Sequence, residues 1–127
     1  MTTIHQPPAL SEEARKRVHP SVLARHQLER RVVWNLCKHL EAAGFHPYKA
    51  NDGDETFNVR THEDVMEAVF AVDECAVSFK KEGFNSHDVV FVLGNDGWDA
   101  ISDWGSYGDD RDGFAQVMDD FNPEACI

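Results

Sequence analysis

From Ser21 to Ala43 the chain contains neither proline nor glycine, and its apolar residues return at helical spacing. Leu28, Val32, Val33, Leu36, Cys37 and Leu40 fall on one broad stripe with a period of about 3.6 residues. Pro20 and Ser21 mark the start of this helix and Gly44 its stop. The rest of the fold must pack against that stripe. The opposite side carries Arg30, Arg31, Trp34, Lys38 and Glu41. Glu29 falls within the angular range of the stripe. Either the first two turns project beyond the core, or Glu29 pairs with Arg25, four residues earlier.

After Gly44 the period changes. Phe45 to Ala50 reads as a short strand, with Pro47 pointing to an edge position. Asn51-Asp52-Gly53-Asp54 has the chemistry of a hairpin turn, and Glu55 to Arg60 is the return strand. Thr61-His62-Glu63-Asp64 resembles a capping box opening a short helix, His62 to Val72. Three strands follow: Cys75 to Lys81, then Asp88 to Leu93, which is apolar on both faces and so central, then Trp98 to Trp104. Gly94-Asn95-Asp96-Gly97 turns the second into the third. Alternation puts Trp98, Ala100, Ser102 and Trp104 on one face of the last strand, with Asp99, Ile101 and Asp103 on the other. A final helix spans Asp112 to Phe121, with Phe114, Val117, Met118 and Phe121 as its apolar face. The order α-β-β-α-β-β-β-α predicts an α+β fold. Its sheet is antiparallel or mixed, with about five strands and helices packed on one face. Residues 1–18, with Pro7, Pro8 and a mixed-charge stretch, read as a flexible amino-terminal arm, with a short helix available after Ser11. Residues 19–127 read as a single domain.

At 127 residues, of which 42% are hydrophobic, the chain can bury a core without staples. It has no apolar run of the roughly 20 residues that span a bilayer, and no basic-then-apolar leader at its start. Cys37, Cys75 and Cys126 are odd in number and widely spaced, which fits reduced, packed thiols in the cytoplasm.

The net charge of −11 is unevenly spread. Residues 1–49 hold 8 basic and 4 acidic groups; residues 50–127 hold 4 basic and 19 acidic groups. Such polarity informs partners, not fold. Asp96, Asp99, Asp103, Asp109, Asp110 and Asp112 lie on strand and turn backbone, where short carboxylates are held more rigidly than on long stems. A fixed array of this kind imitates phosphates and suits a basic groove on a nucleic-acid-binding protein. The competing reading is a solvated acidic surface, partly neutralised by the chain's own basic helix. The second candidate surface is Trp34 with Arg30, Arg31 and Lys38 at i±3 or i±4, an aromatic rimmed by cations. Its competing reading is a core tryptophan with the arm packed over it.

Metal and enzyme signatures are weak. Asp110, Asp112, Gly113 and Asp119 fit positions of a calcium loop, but Gly108 stands at the first position and Asp rather than Glu at the last. A plain loop and helix cap explains them better. The seven histidines form no zinc motif, and the chain has no CxxC, phosphate-binding loop or serine elbow. No metal, cofactor or catalytic residue is expected.

Several segments together, His19-Pro20-Ser21-Val22-Leu23, Leu28-Glu29-Arg30-Arg31-Val32, Ala68 to Asp73, and Val92-Leu93-Gly94-Asn95 leading to Ile101-Ser102-Asp103, resemble small uncharacterised accessory proteins of bacterial phages, plasmids and other mobile elements. The resemblance implies a bacterial cytoplasmic setting and no particular activity. It raises the weight of an inhibitor that blocks host defence or host nucleic-acid-binding proteins.

The expected function is a non-enzymatic acidic protein-binding module that docks on a basic groove. Neither direct nucleic-acid binding nor a membrane is expected. The alternative is a self-associating structural protein, a homodimer in which the basic helix of one copy meets the acidic face of another. An enzyme or metal-binding protein is the third reading.

Overall fold

The computed structural model describes residues 3–127; the first two residues of the predicted arm lie outside the described residues. The elements are α1 (Glu12–Lys16), α2 (Pro20–Ala42), β1 (His46–Asn51), β2 (Thr56–Asn58), α3 (His62–Phe70), β3 (Glu74–Lys80), β4 (Ser86–Val92), β5 (Ile101–Ser106) and α4 (Phe114–Asp120). A short 3-10 helix at Pro123–Cys126 follows. The chain is α+β, and its five strands form one antiparallel sheet in the order β2-β1-β3-β4-β5.

Local chemistry sets the boundaries. Ser11 caps α1, its hydroxyl accepting from the Ala14 N–H. α3 opens with a complete capping box: Thr61 Oγ1 accepts from the Asp64 N–H, while Asp64 accepts from the Thr61 N–H. Asp64 also accepts from the Arg60 N–H, and these backbone donors hold its carboxyl below the usual range. β1 is not an edge strand, because it lies between β2 and β3. Pro47 is tolerated there since β2 pairs only with Lys49–Asn51, so the proline sits beyond that ladder.

β5 departs from the expected alternation. It begins at Ile101, and Trp98 belongs to the preceding loop. The register against β4 shifts between Val90 and Phe91, so that Ile101 faces Phe91 and Trp104 faces Val89. One extra residue, Ser102, therefore puts Ile101 and Trp104 on the same face. Both pack against the main core.

Cross-strand pairing sorts the sheet into two faces. Cys75, Val77 and Phe79 of β3 lie opposite Phe91, Val89 and His87 of β4, and all six are buried. They join Val33, Leu36, Leu40, Val65, Val69 and Phe114 from the helices in one core. The other parity carries Lys49, Ser78, Asp88 and Asp103, a polar set on neighbouring strands.

The middle of α2 is buried on every side, from Val32 through Cys37. Leu36 and Leu40 meet the sheet-side core, while Val32 packs with Ala100 and Cys126 in a second, smaller cluster joined by Ile4. The arm supplies a further cover. The Asn35 side chain accepts from the His5 N–H at 2.7 Å and donates to the His5 carbonyl at 2.9 Å. The arm is thus tied to α2 at His5, and again at Pro8, whose carbonyl accepts from Arg30.

Candidate functional site

The acidic residues singled out in the sequence do not form one array. Asp96 and Asp99 lie in the β4–β5 loop, and Asp109, Asp110 and Asp112 lie beyond the other end of β5. The five steps of β5 put roughly 17 Å between the two groups. Several of these carboxylates are occupied by local backbone. Asp99 accepts from the Asp96 and Gly97 N–H groups. Asp103 accepts from the Trp104 N–H and Asp110 from the Ala115 N–H. Asp109 takes both the Arg111 N–H and its guanidinium, at 2.9 Å for the latter, which lowers the Asp109 pKa. Asp96, Asp103, Asp109 and Asp110 remain exposed.

Among the described residues, no arginine or lysine of α2 forms an ion pair with the acidic groups of residues 50–127. Arg30 donates to the Pro8 carbonyl at 2.8 Å and lies over the Phe70 ring; Arg31 donates to the Cys126 carbonyl at 2.9 Å. The Lys38 ammonium sits 5.2 Å from the centre of the Trp34 ring. Among the described residues, only Arg25–Glu29 and Arg111–Asp109 bring an arginine or lysine within ion-pair distance of a carboxylate.

The four predicted α2 residues separate into two places. Arg30 and Arg31 line a cleft under the arm. Trp34 and Lys38 line another, with Glu41, Arg60 and His62. Trp34 itself is only 7% exposed, with the His62 ring edge-on to it at 5.8 Å. Burial foremost lowers the His62 pKa, against the opposing pull of Glu41, 3.3 Å away.

The sheet face opposite the core carries a polar cluster that no sequence motif announced. Asp88 accepts from the Ser78 and Tyr107 hydroxyls. The carboxylate raises the Tyr107 pKa by holding its proton and by opposing a second negative charge. The Tyr48 and Ser86 hydroxyls pair beside it at 2.5 Å. Asp103 shares this face, so the carboxylates of β4 and β5 lie together with the phenols of Tyr48 on β1 and Tyr107 just after β5.

A second unannounced cluster is buried. His87 has no exposed surface; its ring stacks on Phe114 at 4.0 Å and meets Phe45 edge-on. The Asp112 carboxylate accepts from Nε2–H at 2.5 Å, and in the neutral ring Nδ1 then accepts from the Ser106 hydroxyl at 2.6 Å. Serine, imidazole and carboxylate stand in the order of an activated-serine relay. The imidazole, however, is sealed between two phenyl rings, and its bonds fasten the β5–α4 loop to the sheet. His87, Asp110 and Asp112 also place ligand-type atoms within 4.8 Å of one another. An ion shared by Nε2 and a carboxylate oxygen would hold them about 3.4 Å apart in tetrahedral geometry. The 2.5 Å contact is a hydrogen bond, and the pair would have to open to admit an ion.

The thiols are inert by environment. Cys37, Cys75 and Cys126 are buried and free. Burial pushes Cys37 up to about 12 and Cys75 up to about 11, far from a thiolate at neutral pH. No helix among the described residues is long and apolar enough to cross a membrane. No family model matches the chain, and neither curated proteins nor solved structures give a match.

Proposed function

We propose that this chain is a non-enzymatic binding module that docks through its acidic side on a basic protein surface, such as the groove of a nucleic-acid-binding protein. The observation that carries the reading is the state of the carboxylates. Residues 50–127 hold 19 acidic groups, and among them only Asp109 has an arginine or lysine within ion-pair distance. On α2, Arg30, Arg31 and Lys38 engage backbone carbonyls and aromatic rings instead, and Arg25 faces Glu29 of its own helix. An anionic surface left without internal cations draws a basic one at long range, and the attraction falls with salt.

The contact surface in this reading is the polar sheet face and the loop beside it. Asp103, Asp109 and Asp110 supply charge, and Tyr107, 62% exposed, supplies an aromatic anchor with a polar tip. The helices are taken to cover the Val77 face, leaving the Asp88 face open. Asp96 and Asp99 stand at the far end and belong to the rim. A mobile-element accessory protein that blocks a host defence or nucleic-acid-binding protein is the setting that fits.

The test is capture from bacterial lysate at low and high salt. It is paired with the variant Asp103→Lys/Asp109→Lys/Asp110→Lys. The expected catch is a basic nucleic-acid-binding protein that releases its nucleic acid as this chain is added. Retained capture by the triple variant, or an empty capture at low salt, refutes the reading.

A further inference from the structure

The cleft under the arm has a chemistry opposite to the rest of the molecule. One wall is the Pro7–Leu10 stretch, and the other is Arg15, Gln27, Arg30 and Arg31; the volume is about 310 Å3. That is the lower end of the range for small-molecule sites. In a chain of net charge −11, three arginines line this one cleft, and none has a carboxylate within ion-pair distance among the described residues. Cations gathered along one cleft without an internal counter-ion repel one another, and an anion relieves that repulsion.

We propose that this cleft binds a phosphate monoester. The arginines are pre-positioned. Arg30 is fixed by its bond to the Pro8 carbonyl and by the Phe70 ring, and Arg31 by its bond to the Cys126 carbonyl. A guanidinium has five N–H donors, so each of these retains donors for a ligand. Arg15, exposed and without a side-chain partner among the described residues, completes the set. A carboxylate offers two oxygens and one charge, both engaged by a single fork, whereas a phosphate monoester presents three terminal oxygens and up to two charges. Three guanidiniums therefore match phosphate. Pro7, Pro8 and Leu10 form an apolar wall suited to an organic body, which favours an ester over the inorganic ion. Partial burial of Arg30 strengthens each contact relative to open solvent. The site is separate from the acidic docking face, and either can fail without the other.

The experiment is calorimetric titration of the full chain at physiological ionic strength. It has three arms: phenyl phosphate, inorganic phosphate and benzoate. The expected order of affinity is phenyl phosphate, then inorganic phosphate, then benzoate. Arg15→Gln is expected to weaken phenyl phosphate about tenfold, the loss of one charge-assisted hydrogen bond, with an unchanged melting temperature. Arg31→Gln should weaken it likewise. Three results overturn the proposal: no saturable binding of phenyl phosphate, benzoate binding as well as phenyl phosphate, or unaltered affinity in both variants. A salt-sensitive dimer in sedimentation whose formation excludes phenyl phosphate also overturns it. The cleft would then be filled by acidic residues of a second copy.

Discussion

Glu29 is buried to 1% exposure in the middle of an apolar stripe, and it reaches across to accept the Gly94 N–H at 2.7 Å. Arg25 and His26 stand 3.9 and 3.8 Å from the same carboxylate, too far for hydrogen bonds but close enough for attraction. Glu29→Ala should cost about 1–3 kcal/mol, because it leaves a part-buried N–H without an acceptor. Urea unfolding measures the loss, and amide exchange at Gly94 should accelerate with it. Cys37 makes a second prediction. Folding raises its thiol from 9.0 to about 12, so the unfolded chain gives up that proton first. Its contribution is complete below pH 9.0 and drains as pH rises toward 12, by about 1.4 kcal/mol per unit. Cys37→Ala should flatten the alkaline decline in urea stability. The burial of Cys37 was legible from the helical stripe. The burial of Trp34 was one of the two readings open for that residue; which element covers it was not legible, because the His62 ring of α3 packs on it from 28 residues away, and a stripe drawn from one helix cannot include what packs on it later. His87 was invisible for the same reason. Its partners Ser106 and Asp112 are 19 and 25 residues away, and no motif has that spacing.

The elements themselves were largely written in local chemistry. Thr61 and Asp64 announced α3, and the turn residues around Gly53 announced the β1–β2 hairpin. β5 was misread because alternation assumes an unbroken register, and one bulged residue reverses every face beyond it. The consequence for the candidate site is direct: Asp99 leaves the strand and becomes a loop cap, so the expected ladder of Asp99 and Asp103 dissolves. The loop that holds Asp99 presses on α2 at Gly97, whose φ is +103°. An added Cβ there would lie 3.0 Å from Leu28 Cδ2 and 3.2 Å from the Arg25 carbonyl. Gly97→Ala should therefore destabilise by about 1–3 kcal/mol, through backbone strain and crowding together. Stability across a shorter side-chain series at Leu28 would separate the two. At the other end of β5, Asp112→Ala strips the His87 ring N–H of its buried acceptor and should cost about 1–3 kcal/mol. Ser106→Ala, at an exposed position, should cost about 0.5–1.5 kcal/mol. A similar loss in both would mean that the loop is not anchored through Asp112.

At the scale of the whole molecule, charge governs behaviour more than packing does. The carboxylates of residues 50–127 repel one another with little internal relief, so screening should stabilise the fold. The melting temperature is expected to climb with sodium chloride from low to physiological ionic strength. A flat response would mean that the acidic groups lie too far apart to interact. The overall polarity was legible from composition. The separation of its parts was not, because it depends on which end of β5 each aspartate occupies. One consequence concerns how the chain can be handled. His5 is clamped by Asn35 and the Cys126 carbonyl by Arg31, positions four residues apart on the same helix. Their backbones are about 6 Å apart along its axis. Residues 5 and 126 are therefore both held against the same stretch of α2. A short covalent join between them would yield a permuted chain whose new ends could be opened at the exposed Gly53 or Gly83 turns.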